Sequence, residues 1–296
     1  MATKEYPILR GLIGLILALI LFFLFVVILS SFFIGGKGEF SISDKIAVVP
    51  IKGVITDSQT IIDQLNKFKK HRKVKAILLR IDSPGGGVGP AQEIYQEIKK
   101  IRKVKKVVSS IGSIGASGGY YVACAADKIV ANPGTITGSI GVIVEYANLQ
   151  KLLEKIGLKG IVIKSGKYKD IMSPLRDITE DERSLIQNVV NDIHNQFVSA
   201  IAEARHLEKA QVEAIADGRI FTGIKAKELG LIDELGNFND AVKIAAEMVG
   251  IKGEPELIYP EKKFSFLDYF LEKAFQKWEE ILFFPYQLGY LLPIDQ

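Results

Sequence analysis

From Gly11 to Ile34 the chain carries no charged side chain. The run is rich in Leu, Ile, Phe and Val, and its roughly 24 residues are long enough to cross a hydrocarbon core of about 30 Å with some tilt. The apolar region of a secretory signal is shorter, about 7–15 residues. Gly35 and Gly36 follow the run without a small-x-small cleavage pattern. A helix packed on a soluble domain keeps a polar face, which this run lacks. The expectation is an uncleaved transmembrane anchor over 11–34, with a cytoplasmic stub over 1–10 and a polar linker over 35–44. Lys4 and Arg10 precede the run, while Lys37 and Lys45 follow it, offset by Glu39 and Asp44. Basic residues alone therefore leave the orientation nearly balanced; Arg10 at the very edge favours an amino terminus inside.

The remainder of the 296 residues fits one domain of about 200–250 residues with a full core and short appendages. Its apolar runs alternate between strand and helix character. Ile46–Ile51, Val74–Ile81, Lys106–Ile111, Lys128–Ala131, Gly141–Glu145 and Ile161–Lys164 read as strands. Asp57–Lys70, Pro90–Ile101 and the small-residue stretch Ala116–Ala126 read as helices between them. Glu182–Ala204 reads as one long amphipathic helix opening after Thr179, with Glu182 completing a capping box. Such alternation predicts an α/β domain with a largely parallel sheet. The tail Phe264–Leu292 repeats aromatic and aliphatic residues at three- and four-residue steps but carries Asp268, Glu272, Lys273, Lys277, Glu279 and Glu280. Those charges exclude a second spanning helix. They leave a helix docked on protein, or one lying in a membrane interface.

Net charge is +4, and lysines cluster near Lys67–Lys75 and Lys99–Lys106. Apart from Phe68 no aromatic residue interleaves with them, so solvated helix ends are expected there rather than a nucleic-acid site. The single cysteine, Cys124, excludes an internal disulfide and a cysteine zinc cluster. It lies in the apolar run Val122–Ala126, where a small buried hydrophobe is expected. Histidine is the usual base for a serine or cysteine nucleophile. The chain has three, His71, His194 and His206, and none adjoins a nucleophile motif.

Two glycine-rich loops follow apolar strands. In Ser83-Pro84-Gly85-Gly86-Gly87 the glycines allow close backbone approach and outward-facing amides, a nest for an anion. No Lys-Ser/Thr pair follows, so a nucleotide loop is not expected. In Gly112-Ser113-Ile114-Gly115-Ala116-Ser117-Gly118-Gly119-Tyr120-Tyr121, Ser117 stands where a helix begins. It is either an ordinary N-cap or a nucleophile whose oxyanion meets the next amide, Gly118, together with Gly86.

These two motifs, followed by Thr137-Gly138-Ser139-Ile140-Gly141 and Ser165-Gly166-Lys167-Tyr168-Lys169-Asp170, resemble the signal peptide peptidase SppA (protease IV) family. So do Ala216-Asp217-Gly218-Arg219 and Gly230-Leu231-Ile232-Asp233-Glu234-Leu235-Gly236. The resemblance covers about residues 45–245 in order and is to the short, single-domain form. It implies a Clp/crotonase-like spiral domain, here 45–250, behind the transmembrane helix, leaving 251–296 as an amphipathic aromatic extension. By position it implies Ser117 as nucleophile, Lys169 as general base, Gly86 and Gly118 as oxyanion-hole amides, and Ser139 as the hydroxyl that positions the lysine. It also implies no metal or other cofactor and a catalytic domain on the extracytoplasmic side of the cell membrane. Cleaved signal peptides are the implied substrates, and a ring-like homo-oligomer is implied in which serine and lysine meet across subunits.

Lysine serves as a base only when its surroundings disfavour the cation. Asp170, adjacent to Lys169, would oppose this unless its side chain points elsewhere. Three other readings share parts of this pattern. One is a Ser–Lys membrane protease acting on a specific membrane-protein partner, like the stomatin-operon proteases. A crotonase-type acyl-CoA enzyme would need no lysine base and sits poorly with an anchor. A non-catalytic membrane scaffold would have no need of both Ser117 and Lys169.

Overall fold

A computed structural model describes residues 15–26 and 44–261. The chain divides into two units, Met1–Ser43 and Asp44–Gln296. In the first, residues 15–26 form a helix, α1, whose side chains are all exposed. Among the described residues no helix is long and apolar enough to cross a membrane. The rest of the 11–34 run lies outside the described residues, as do the stub over 1–10 and the tail Phe264–Leu292.

The second unit is built on an eight-stranded sheet. Its spine runs from Lys45–Ile55 (β1) to Val74–Gly86 (β2) and Lys106–Ala116 (β3), all parallel. The first half of β3 pairs with Lys128–Ala131 (β4), and its last residues pair with Ile136–Gly138 (β5). Ile220–Thr222 (β6) adds antiparallel to β5, Glu234–Leu235 (β7) adds to β4, and Glu256–Ile258 (β8) closes the far edge beside β1. The largely parallel α/β sheet expected from the alternation is therefore present, and β3 is where it branches.

Both faces of the sheet are covered, which is why its strands read as unbroken apolar runs. Val49, Ile51, Ile77, Leu79 and Ile81 point to one side. There they meet Gln59–Lys70 (α2), Val88–Arg102 (α3), Gly118–Ala123 (α4) and the long helix Glu180–Arg205 (α6). The alternate residues Ile46, Val48, Ala76 and Leu78 point the other way, under Phe238–Met248 (α9). Three short helices, Gln150–Lys155 (α5), Lys209–Glu213 (α7) and Gly223–Glu228 (α8), complete the elements among the described residues.

Several boundaries differ from the sequence expectation. The segment Asp82–Gly86, expected as a loop, continues β2, because Val54 and Ile55 of β1 pair with Gly85 and Gly86. Likewise Gly112–Gly115 continues β3, and the following helix is shorter than expected, beginning at Gly118. Gly141–Glu145 and Ile161–Lys164 are not strands. Their β-branched residues match strand preference, but Ile143 is 80% and Ile163 97% exposed. Propensity alone does not make a strand where no ladder partner is available. The long helix opens as expected. Glu182 N donates to Thr179 Oγ1 at 3.3 Å, and Thr179 N donates to Glu182 Oε2 at 3.0 Å.

Candidate active site

Ser117 sits between the last residue of β3 and the first of α4. The reversal from strand to helix within one residue gives it φ 50° and ψ −122°, a region that costs a non-glycine residue about 1–3 kcal/mol. Although it occupies the N-cap position, its side chain makes no capping hydrogen bond. The ordinary N-cap reading thus fails, and the hydroxyl is left to the adjoining space. The turn is held from below: Ser117 N donates to Gly138 O at 2.9 Å, and Thr137 Oγ1 donates to Gly115 O at 2.7 Å.

The end of β2 comes up against this turn. Asp82 Oδ1 accepts from the amides of Ser113 and Ile114 at 3.0 and 3.2 Å where the ladder to β3 shifts register. Gly85 then lies so close that a Cβ there would stand 2.6 Å from Gly118 N and 3.0 Å from Ser117 Cβ. A Cβ on Gly118 would in turn lie 3.2 Å from Gly86 N. The amide nitrogens of Gly86 and Gly118 are therefore neighbours beside Ser117. Gly118 N also belongs to the first helical turn, whose amides have no intrahelical acceptor.

Ser139 is the third residue of the group. It follows β5 with φ 49°, and its amide donates to Arg219 O at 2.8 Å. Gly86, Ser117, Gly118 and Ser139 all border one cavity of about 320 Å³. Its remaining wall is mostly apolar, with Val88, Tyr121, Val142, Ile143, Ile193 and Phe197 among its residues. Tyr121 forms the aromatic floor, with ring centroids 4.7 Å from Tyr95 and 5.1 Å from Phe197. The contribution of Ile193 and Phe197, one helical turn apart on α6, was not foreseen from the sequence. Their i, i+4 spacing marks a shared face but does not say what the face covers.

Lys169 is not brought into this cavity within one chain. It lies in the turn-rich segment after Lys164 and is exposed. Its neighbour Asp170 is engaged in an ionic cluster. Arg176 donates to Asp170 Oδ2 through Nε at 2.9 Å and to Oδ1 through Nη2 at 2.8 Å, and Lys164 also pairs with Oδ1. These partners, Arg176 foremost, hold the Asp170 carboxyl well below the ordinary carboxylate range. Arg176 reaches Glu182 as well, with Nη1 2.8 Å from Oε2 and Nη2 2.5 Å from Oε1. That pairing, reinforced by the Thr179 amide, lowers Glu182 to about 2.

The other candidate groups take structural roles. His194 Nε2 lies 2.7 Å from Ala216 O, His206 is the left-handed C-cap of α6, and His71 ends α2. None of the three lines the cavity. Cys124 is fully buried, and burial pushes its thiol up to about 12. Among the described residues no group of His, Cys, Asp and Glu is arranged to hold a metal ion.

An uncapped serine at a strained strand-to-helix turn, beside two neighbouring backbone amides, suits nucleophilic attack with oxyanion stabilisation. Comparison with known proteins agrees. Residues 99–252 match the peptidase family S49, and residues 43–135 match the Clp protease family. A candidate protease of Synechocystis sp. is 47% identical over 208 residues, which is 70% of this chain and 75% of that protein. A candidate signal peptide peptidase SppA of Enterococcus faecium is 37% identical, with 67% of this chain and 62% of that protein covered. A candidate protease of Methanocaldococcus jannaschii is 38% identical, with 68% and 65% covered. The chain belongs to peptidase family S49, together with its SppA-type relatives, and is a serine protease.

Proposed function

We propose that this protein is a membrane-anchored endopeptidase that degrades cleaved signal peptides, with Ser117 as nucleophile and Lys169 as general base. The observation that carries the reading is the Ser117 hydroxyl. It is free of the capping bond its position invites, and it borders an apolar cavity beside the Gly86 and Gly118 amides.

In the proposed cycle Ser117 Oγ attacks a peptide carbonyl carbon while its proton passes to the neutral Lys169 amine. The resulting oxyanion accepts from Gly86 N–H and Gly118 N–H, the donors worth most in a water-poor site. The C–N bond then breaks, and the lysine returns its proton to the leaving amine. A water molecule attacks the Ser117 ester, its proton again taken by Lys169. Breakage of the ester bond frees the acid product, and Ser117 Oγ recovers the proton. Ser139 positions the lysine. No cofactor takes part in this scheme.

The apolar wall supports a substrate of signal-peptide type, since a hydrophobic side chain gains about 25 cal/mol for each Å² it buries. The uncharged run around α1 supports an anchor over 11–34, while the reading of the catalytic domain as lying outside the cytoplasm rests on the family resemblance and on Arg10 at the edge of the run. The dyad is read as formed between Ser117 of one subunit and Lys169 of the partner subunit, in a ring-like homo-oligomer. Support comes from the exposure of Lys169 and from the bare β-branched residues Ile161 and Ile163, at 80% and 97% exposure, which a neighbouring subunit would cover.

Hydrolysis of a signal-peptide substrate by the full chain in detergent tests the scheme. Ser117→Ala and Lys169→Ala are each expected to be inactive, and co-assembly of the two variants is expected to restore a fraction of the activity. Turnover by both single variants would dismiss the dyad. Silence of the mixed assembly would place both groups in one subunit. Extraction of the chain from membranes by alkaline carbonate would dismiss the anchor.

A further inference from the structure

Arg176 ties the segment carrying Lys169 to the start of α6, where Lys167 also reaches Asp181. Its guanidinium bonds the Asp170 carboxylate through Nε and Nη2 and the Glu182 carboxylate through Nη1 and Nη2, and it also donates to the carbonyls of Asp170 at 3.3 Å and Asp177 at 3.0 Å. Glu182 is 2% exposed and is itself fixed by the capping box with Thr179. The Asp170 side chain, 10% exposed, is enclosed between Lys164 and Arg176. Two cations thus balance two carboxylates, and the cluster is locally neutral.

Other charges near this segment are engaged as well. Lys167 donates to Asp181 at 2.7 Å and stands 5.0 Å from the centre of the Tyr168 ring. Asp177 accepts from Asn148 at 2.5 Å, on the stretch that also bonds Pro174 O through Leu149 N at 2.8 Å. The one carboxylate adjacent to Lys169 in sequence is therefore committed to other cations.

We infer that Arg176 is a positioning residue for the proteolytic reaction, drawing the Asp170 carboxylate away from Lys169 so that the Lys169 amine can stand neutral, while fixing its loop to α6. The inference rests on the reading of Lys169 as general base. A carboxylate released beside an amine holds the ammonium form. A bidentate guanidinium removes that carboxylate more completely than a lysine ammonium, which engages as a point charge.

The test is the pH dependence of kcat/KM for peptide hydrolysis by the full chain. Its acidic limb reports the base that must lose a proton. Arg176→Gln is expected to move that limb upward by about one pH unit, and adding Asp170→Asn is expected to move it back. Arg176→Lys is expected to fall between the parent and Arg176→Gln. A purely structural role would lower kcat in all of these with the limb unmoved, and that result would overturn the inference. Should Arg176→Gln fail to fold, Asp170→Asn alone still decides, because an upward shift there contradicts the proposed effect of the carboxylate. Lys169→Ala separates the two levels. Retained activity would remove the general base and this inference with it, whereas an inactive Lys169→Ala beside an unmoved limb in Arg176→Gln would remove only the role of Arg176.

Discussion

The Ser117 amide donates to the Gly138 carbonyl at 2.9 Å. This bond closes the short ladder between β3 and β5, and the residue after Gly138 is Ser139. Two serines 22 positions apart, each with positive φ, are thereby brought to one cavity by a single pair of strand ends. Ser117→Ala is expected to abolish peptide hydrolysis. Ser139→Ala is expected to lower kcat by up to about 100-fold with KM nearly unchanged, as when a catalytic group is misplaced. Steady-state kinetics on an apolar peptide checks both, and a Ser139→Ala enzyme with parental kcat would remove that residue from the site.

Gly85 adopts φ +106°, and a Cβ there would stand 2.6 Å from Gly118 N. Gly85→Ala is expected to push the β2 end off the α4 start and spread the two amides. Activity should fall about 100-fold or more, the scale of losing one oxyanion donor. Stability should fall by more than 1 kcal/mol, since a side chain at this φ is strained as well as crowded. Denaturant melts beside kinetics would reveal whether either loss is absent.

Phe197 is 5% exposed and forms part of the cavity wall. Phe197→Ala is expected to cost about 3 kcal/mol, the low end for such truncations because the side chain already borders open space. The widened cavity should shift cleavage preference toward bulkier apolar residues. A substrate profile unchanged by the substitution would mean that the cavity does not receive the substrate side chain.

Glu182 is held at about 2 when folded, chiefly by Arg176 and then by the Thr179 amide. Its folded value lies below the unfolded one of about 4.3. Its contribution is therefore complete above the ordinary glutamate range and is lost as pH falls toward about 2. Thermal melts across that window should show Glu182→Gln less sensitive to acid than the parent. Equal slopes would argue against the pairing.

Cys124 is fully buried with its thiol pushed up to about 12 by desolvation, and Sγ lies 3.0 Å from Tyr121 O. Thiol reagents at pH 8 should leave the folded protein unlabelled and modify it in denaturant. Rapid labelling of the folded chain would contradict its place in the core.

Much of this architecture was legible because it is encoded locally. The runs that became β1, β2, β3 and β4 are apolar over strand length, and Thr179 with Glu182 announced the start of α6 through an i, i+3 relation. The glycine and serine motifs marked Gly86, Ser117 and Gly118, the resemblance added Ser139, and the structure gathers these four at one cavity. Lys169 was likewise singled out by resemblance, and a single chain does not bring it there.

What the sequence determined by itself was the strand–helix alternation from β1 to β4, the start of α6 and the residue types able to do acyl-transfer chemistry. Tertiary structure alone decided that Asp82–Gly86 is strand rather than loop, since only pairing with Val54 and Ile55 makes it so. It also decided that the apolar segments 141–145 and 161–164 remain unpaired, that Phe197 walls the cavity, and that Arg176 lies between Asp170 and Glu182. The physical reason is range. Periodicity and capping act over three or four residues along the chain, whereas ladders, cavities and ion clusters depend on which distant segments the packed core brings together.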